Sequence, residues 1–132
     1  MTRAVGLTLA TFATAALLGA TDGAAVQAQS PTVTPKTKLV VTAGPAEVIT
    51  LRTSAGKAVK QMKVGTYKVT VRDRGRDHNV HIVAPGFNQR TRPLEYRGTQ
   101  TWTVKLARTG SFRFLCDPHA VVGMRGSAKI VP

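Results

Sequence analysis

Hydrophobic residues in this chain recur at every second position rather than every third or fourth. In Tyr67-Lys-Val-Thr-Val-Arg72, Tyr67, Val69 and Val71 share one face while Lys68, Thr70 and Arg72 share the other. Thr101–Leu106 repeats the pattern with Trp102, Val104 and Leu106 inward, and Ser111–Cys116 does so with Phe112, Phe114 and Cys116. A period of two is the signature of half-buried strands. Lys38–Thr42, Glu47–Arg52, His78–Val83 and Arg125–Val131 also read as strands. Turn formers punctuate these runs: Ala43-Gly44-Pro45, Ser54–Lys57, Val64-Gly65, Pro85-Gly86 and Thr109-Gly110. No window reads as an amphipathic helix. The pattern predicts an all-β domain, an antiparallel sandwich of seven to eight strands, with a small barrel as the alternative. Residues 84–100 are the one long connection, with Phe87, Leu94 and Tyr96 as its expected anchors.

The N-terminus departs from this pattern. Arg3 precedes an uncharged run of apolar and small residues from Ala4 to Ala20, and Val26-Gln27-Ala28 fits the small-x-small rule for signal cleavage. Residues 1–28 therefore read as a secretory signal peptide cut after Ala28, and the protein as exported, periplasmic or extracellular. The run is short and rich in Ala and Thr, which argues against a retained membrane anchor. Residues 29–36 read as a flexible lead-in, and 37–132 as one domain.

Charge narrows the partners. The 132-residue chain carries a formal +13, from 19 basic and 6 acidic residues. Arg3 and Asp22 depart together with the leader, so the mature charge stays +13. The basic residues are scattered and no aromatic single-strand platform accompanies them, which excludes nucleic acid as a partner. An acidic redox protein is the expected partner, with peripheral contact with an anionic membrane as a second expectation and a monomer as the expected state. The single cysteine excludes an internal disulfide and any cysteine-rich zinc or iron–sulfur centre.

That cysteine opens the most informative stretch, Cys116-Asp-Pro-His119-Ala-Val-Val-Gly-Met124. A thiolate, an imidazole and a thioether lie within one loop between two predicted strands, and a second imidazole, His78, lies upstream. Soft sulfur combined with imidazole favours copper, and two His, one Cys and a weak axial Met form the blue-copper set. Zinc fits less well, since its structural sites take four good donors. Each residue alone has a blander role, as inert buried thiol, surface histidine or core filler; their joint spacing is what points to metal. His81, three residues beyond His78, would face the other side of a strand and ligate only if the strand bulged at Asn79, so it reads as a surface or core-edge histidine.

Cys-x2-His-x4-Met with an upstream His-Asn-Val resembles the cupredoxin family, in its plastocyanin/pseudoazurin pattern. The resemblance implies a Greek-key β-sandwich with one type 1 copper at its end, equatorial ligands His78, Cys116 and His119, and Met124 as axial ligand. It also implies that Asn79 ties the His78 segment to the loop near Asp117, and that the function is one-electron transfer. Two departures stand out. Leu115 replaces the aromatic residue often found before the ligand cysteine, which leaves the edge of His119 as the electron door. The family's acidic recognition patches are missing, so partners should dock near His119, Val121 and Val122 and be acidic.

Four functions compete, the last of them service as a cupredoxin-like module within a larger complex. The first is an electron carrier outside the cytoplasm. The second is a copper-handling protein that buffers or delivers the ion with the same residues. The third, an enzyme with Cys116 as nucleophile and His119 as base, is disfavoured because such pairs usually converge from distant segments with a third orienting group. The expectation is therefore not an enzyme.

Overall fold

In a computed structural model, residues 30–92 and 97–132 are described. The leader expected over 1–28 and the anchors expected at Leu94 and Tyr96 lie outside them. The strands run β1 (Leu39–Ala43), β2 (Ile49–Thr53), β3 (Gln61–Lys63), β4 (Gly65–Asp73), β5 (His81–Ala84), β6 (Phe87–Arg90), β7 (Gly98–Leu106), β8 (Gly110–Leu115) and β9 (Arg125–Val131). A short 3-10 helix, Asp117–Val122, joins β8 to β9. Two sheets result, with strand orders β2-β1-β4-β7 and β3-β9-β8-β5-β6.

The alternation read from the sequence places the core. Tyr67, Val69 and Val71 of β4 face Trp102, Val104 and Leu106 of β7 across an antiparallel register that pairs Tyr67 with Val104 and Val69 with Trp102. All six are buried. Phe112, Phe114 and Ile82 from the second sheet close the layer between the two. The Tyr67 hydroxyl reaches the carbonyls of Val33 (3.1 Å) and Lys63 (2.7 Å), so its polar tip is satisfied inside the core. Burial pushes the Tyr67 phenol above its ordinary pKa, an effect opposed by the Lys63 carbonyl.

Three expectations need correction. The sandwich is mixed rather than wholly antiparallel, because β1 pairs in parallel with β4 and β3 with β9. Strands number nine among the described residues, since β3 and β6 were not foreseen. Residues 84–100 are accordingly not one loop: they include β6 and the start of β7, with Phe87 packed on Trp102 at 6.4 Å between ring centroids. Ahead of β1, Val33 joins the core, bridged in parallel to Met62 and bonded through Val33 N to the Gln61 carbonyl at 3.0 Å.

Strand direction defines two ends. β1, β4 and β8 run towards one end, and β2, β7 and β9 return from it. The loops at that end, 44–48, 74–80 and 116–124, carry His78, Cys116, His119 and Met124.

Candidate metal centre

β8 delivers Cys116 at its end, fully buried, and the register Leu115↔Arg125 keeps β8 and β9 paired right up to the loop. The loop closes on itself. Cys116 N donates to the Met124 carbonyl (3.0 Å), His119 N to the Cys116 carbonyl (3.1 Å) and Met124 N to the His119 carbonyl (3.1 Å). Pro118, in the first turn of the helix, has no N–H to satisfy. Gly123 ends the helix at φ +100°, a left-handed conformation that other residues adopt at a cost. Met124 is buried beneath this ring of bonds.

His78 arrives from the loop that carries the chain from β4 of one sheet to β5 of the other. It lies three residues before β5 rather than within a strand, contrary to the run expected over His78–Val83. Gly44 and Gly75 crowd one edge of its ring: a methyl on Gly44 would come within 2.7 Å of His78 Cδ2, and one on Gly75 would collide with the same atom. Nε2 lies 3.2 Å from the Pro45 carbonyl. A carbonyl can only accept, so Nε2 carries the proton and Nδ1 is left with a bare lone pair. Behind the ring, Asp73 accepts from the Thr91 hydroxyl (3.0 Å), and Thr91 in turn accepts from Val80 N (2.9 Å). Burial raises the pKa of Asp73, while the Thr91 hydroxyl and the Gly75 amide act in the opposite direction.

Three donors converge. His78 Nδ1 and His119 Nδ1 are 3.0 Å apart, and Cys116 Sγ lies 3.8 Å from the first and 3.5 Å from the second. They form the one such cluster among the described residues. Bonds of about 2.0–2.3 Å from nitrogen and sulfur to a central first-row ion put trigonal donors roughly 3.5–3.8 Å apart, so the triangle fits a metal with one corner slightly closed. Burial raises the pKa of the Cys116 thiol, opposed by the Asn79 and His119 amides. A soft cation that takes the thiolate therefore displaces a proton.

Asn79 and Asp117 lock the two segments together. Asn79 Nδ2 donates to Asp117 Oδ2 (2.7 Å), Asp117 N returns a bond to Asn79 Oδ1 (2.7 Å), and Asn79 N points at Cys116 Sγ (3.5 Å). His81, on β5, has Nδ1 2.7 Å from Asp117 Oδ1 and Nε2 2.8 Å from Asn88 Oδ1. Arg90 adds a longer contact to Asp117 at 3.3 Å. Burial opposes ionisation of Asp117, but the Asn79, His81 and Arg90 contacts outweigh it and hold its carboxyl below the usual range. His81 is thus engaged beside the triangle and outside it. The clamp of Asp117, His81 and Arg90 and the cradle of Gly44, Pro45 and Gly75 went unread in the sequence. Gly44-Pro45 looked like a turn and nothing more, and the other partners are distant along the chain.

The comparisons with known proteins bear on the same region. Residues 51–131 match the family model for copper binding proteins, plastocyanin/azurin family. The chain belongs to that family. This cupredoxin therefore pairs a copper-binding lineage with a donor set of one thiolate and two imidazoles, which suits copper. No curated protein is significantly similar in sequence. Among solved structures it resembles auracyanin from the photosynthetic bacterium Roseiflexus castenholzii, at 20% identity over 78% of this chain and 99% of that one, with a TM-score of 0.49. It also resembles a rusticyanin variant (17%, 80% and 85%, TM-score 0.50). A multi-copper oxidase from Pediococcus acidilactici matches at 20% over 80% of this chain but 27% of its own, with a TM-score of 0.46. The rusticyanin likeness speaks to the fold, an all-β cupredoxin sandwich.

Proposed function

We propose that this cupredoxin is a type 1 copper electron carrier that works outside the cytoplasm. The observation that carries the reading is the convergence of two Nδ1 atoms and one buried thiol at 3.0–3.8 Å, backed by a dense hydrogen-bond shell. His78, Cys116 and His119 would hold the metal, with Met124 as the weak fourth donor. Copper bound there supplies one-electron exchange between its cuprous and cupric forms. The protein's part is to keep the donors still. Asn79, Asp117 and His81 pin the Cys116 loop, while Gly44, Pro45 and Gly75 pin the His78 ring. Such stiffness suits a carrier, which must change charge without rearranging, more than a delivery protein, which must let its cargo go. The uncharged run from Ala4 to Ala20 supports export.

The visible and electron paramagnetic resonance spectra after Cu(II) addition test the reading. An intense blue thiolate-to-copper band with narrow copper hyperfine splitting is expected. A colourless protein that holds only Cu(I) would overturn the carrier reading in favour of copper handling. In the same measurement Met124→Leu should keep the blue band and raise the reduction potential, because loss of a thioether donor disfavours Cu(II) more than Cu(I). Loss of copper in that variant would remove Met124 from the axial role.

His119 is half-buried, and Val121 (90% exposed) and Val122 (65%) stand beside it. This small apolar surface supports transient docking, which buries little area and releases quickly. Arg74, Arg76, Arg92, Arg97 and Arg125 are exposed on neighbouring segments and could pair with carboxylates of an acidic redox partner. Electron exchange with such a partner should slow as ionic strength rises, and Val121→Asp should slow it further with no change in the spectrum. A rate indifferent to salt would mean docking by apolar contact alone.

A further inference from the structure

Charge in this fold is sorted by residue type as well as by sign. The chain has eight lysines, all exposed, and none lies in the loops that build the metal centre. Lys36, Lys38, Lys57, Lys63 and Lys105 surround the end opposite the site, in or beside the turns where β1 begins, β2 and β3 end and β7 runs out. Lys60, Lys68 and Lys129 occupy the flanks above it, and Arg108 adds to the end itself. The acidic residues do the reverse. Among the described residues they are Glu47, Asp73, Asp77 and Asp117, and all four lie at the site end.

Large exposed apolar residues follow the acids. Val48, Val121 and Val122 are the three among the described residues, and each belongs to a site-end loop. Among the described residues, the far end therefore has cations with no acidic side chain to pair them and no large exposed apolar residue. A protein interface ordinarily wants an apolar, well-packed centre. A lipid surface does not: its anionic headgroups form a diffuse sheet of charge, to which hydrated, flexible lysine ammonium groups are matched as point charges.

We propose that the lysine-bearing end and flanks rest on an anionic phospholipid bilayer, with the metal centre held on the side away from the membrane. A carrier so placed diffuses in two dimensions while its site end stays open to partners. The proposal goes beyond the carrier reading and does not depend on it, since the surface is complete without copper.

Co-sedimentation with vesicles tests it, using protein purified from cells that express the full chain, in metal-free and copper-loaded form. Vesicles of phosphatidylcholine alone are compared with vesicles containing about one-third phosphatidylglycerol, where each surface lysine is worth roughly fivefold in affinity. Binding is expected on the anionic vesicles only, with or without copper, and is lost as salt shortens the screening length to a few ångströms (~3–5 Å). The combined variant Lys36→Gln, Lys57→Gln, Lys63→Gln and Lys105→Gln should bind about a hundredfold more weakly or worse. The combined variant Arg74→Gln, Arg76→Gln, Arg92→Gln and Arg97→Gln removes the same charge from the site end and should lose less than tenfold, about the effect of net charge alone. Equal losses in the two variants overturn the orientation. Equal binding to both vesicle types, or retention by heparin or an acidic protein without binding to anionic vesicles, overturns the lipid assignment.

Discussion

Cys116→Ser is expected to abolish the blue absorption and to weaken copper binding by more than the 10–100-fold typical of losing an outer-shell partner. The thiolate is the softest donor of the three, and a serine hydroxyl neither ionises near neutral pH nor bonds covalently to copper in the same way. The fold should survive. Cys116 is fully buried, but serine is close to isosteric, and its oxygen can accept the Asn79 amide that now points at sulfur. Far-ultraviolet circular dichroism of the metal-free variant should match the parent. A blue band that persists in Cys116→Ser would exclude Cys116 as the thiolate donor.

Gly75→Ala is expected to act nearly as strongly without touching a donor atom. The added methyl would collide with His78 Cδ2 and come within 3.1 Å of Asp77 Oδ1. The ring is tethered at this edge, because the Pro45 carbonyl holds Nε2 at 3.2 Å and Gly44 crowds the same Cδ2 atom. Nδ1 should therefore leave the convergence point, with a copper affinity loss of at least about tenfold and broadened or shifted hyperfine lines. Overpacking of this kind costs about 1–3 kcal/mol, so thermal unfolding of the metal-free protein should shift by several degrees only. Parental affinity and spectrum in Gly75→Ala would mean that the cradle does not position His78.

These two variants mark what the sequence makes legible and what it does not. Cys116, His119 and Met124 stand in one nine-residue stretch, so their chemistry can be read directly from spacing. The Gly75 contact is a negative feature, a place where a side chain is missing, and it becomes meaningful only when His78 is packed against it. The strands divide in the same way. β4, β7 and β8 bury every second residue and were readable, because burial on one face imposes the period. β3 is three residues long with only Met62 buried, and β6 is a sheet edge with no fully buried residue, so neither shows an alternation. Parallel pairing of β1 with β4 and of β3 with β9 joins segments that are not neighbours in sequence, and no local pattern records it.

His78 and Cys116 are sealed from solvent, and His119 alone among the converging donors is half-exposed. A centre with one window imposes an order on its traffic. On the docking proposed above, whatever reduces it and whatever oxidises it would share the small patch around His119, Val121 and Val122, and so would take turns. Donor and acceptor would then compete with one another, giving substituted (ping-pong) kinetics in which each partner inhibits at high concentration. Turnover would be capped by how fast a spent partner leaves. A patch of two valines beside one imidazole edge, too small to hold anything for long, is well suited to that constraint.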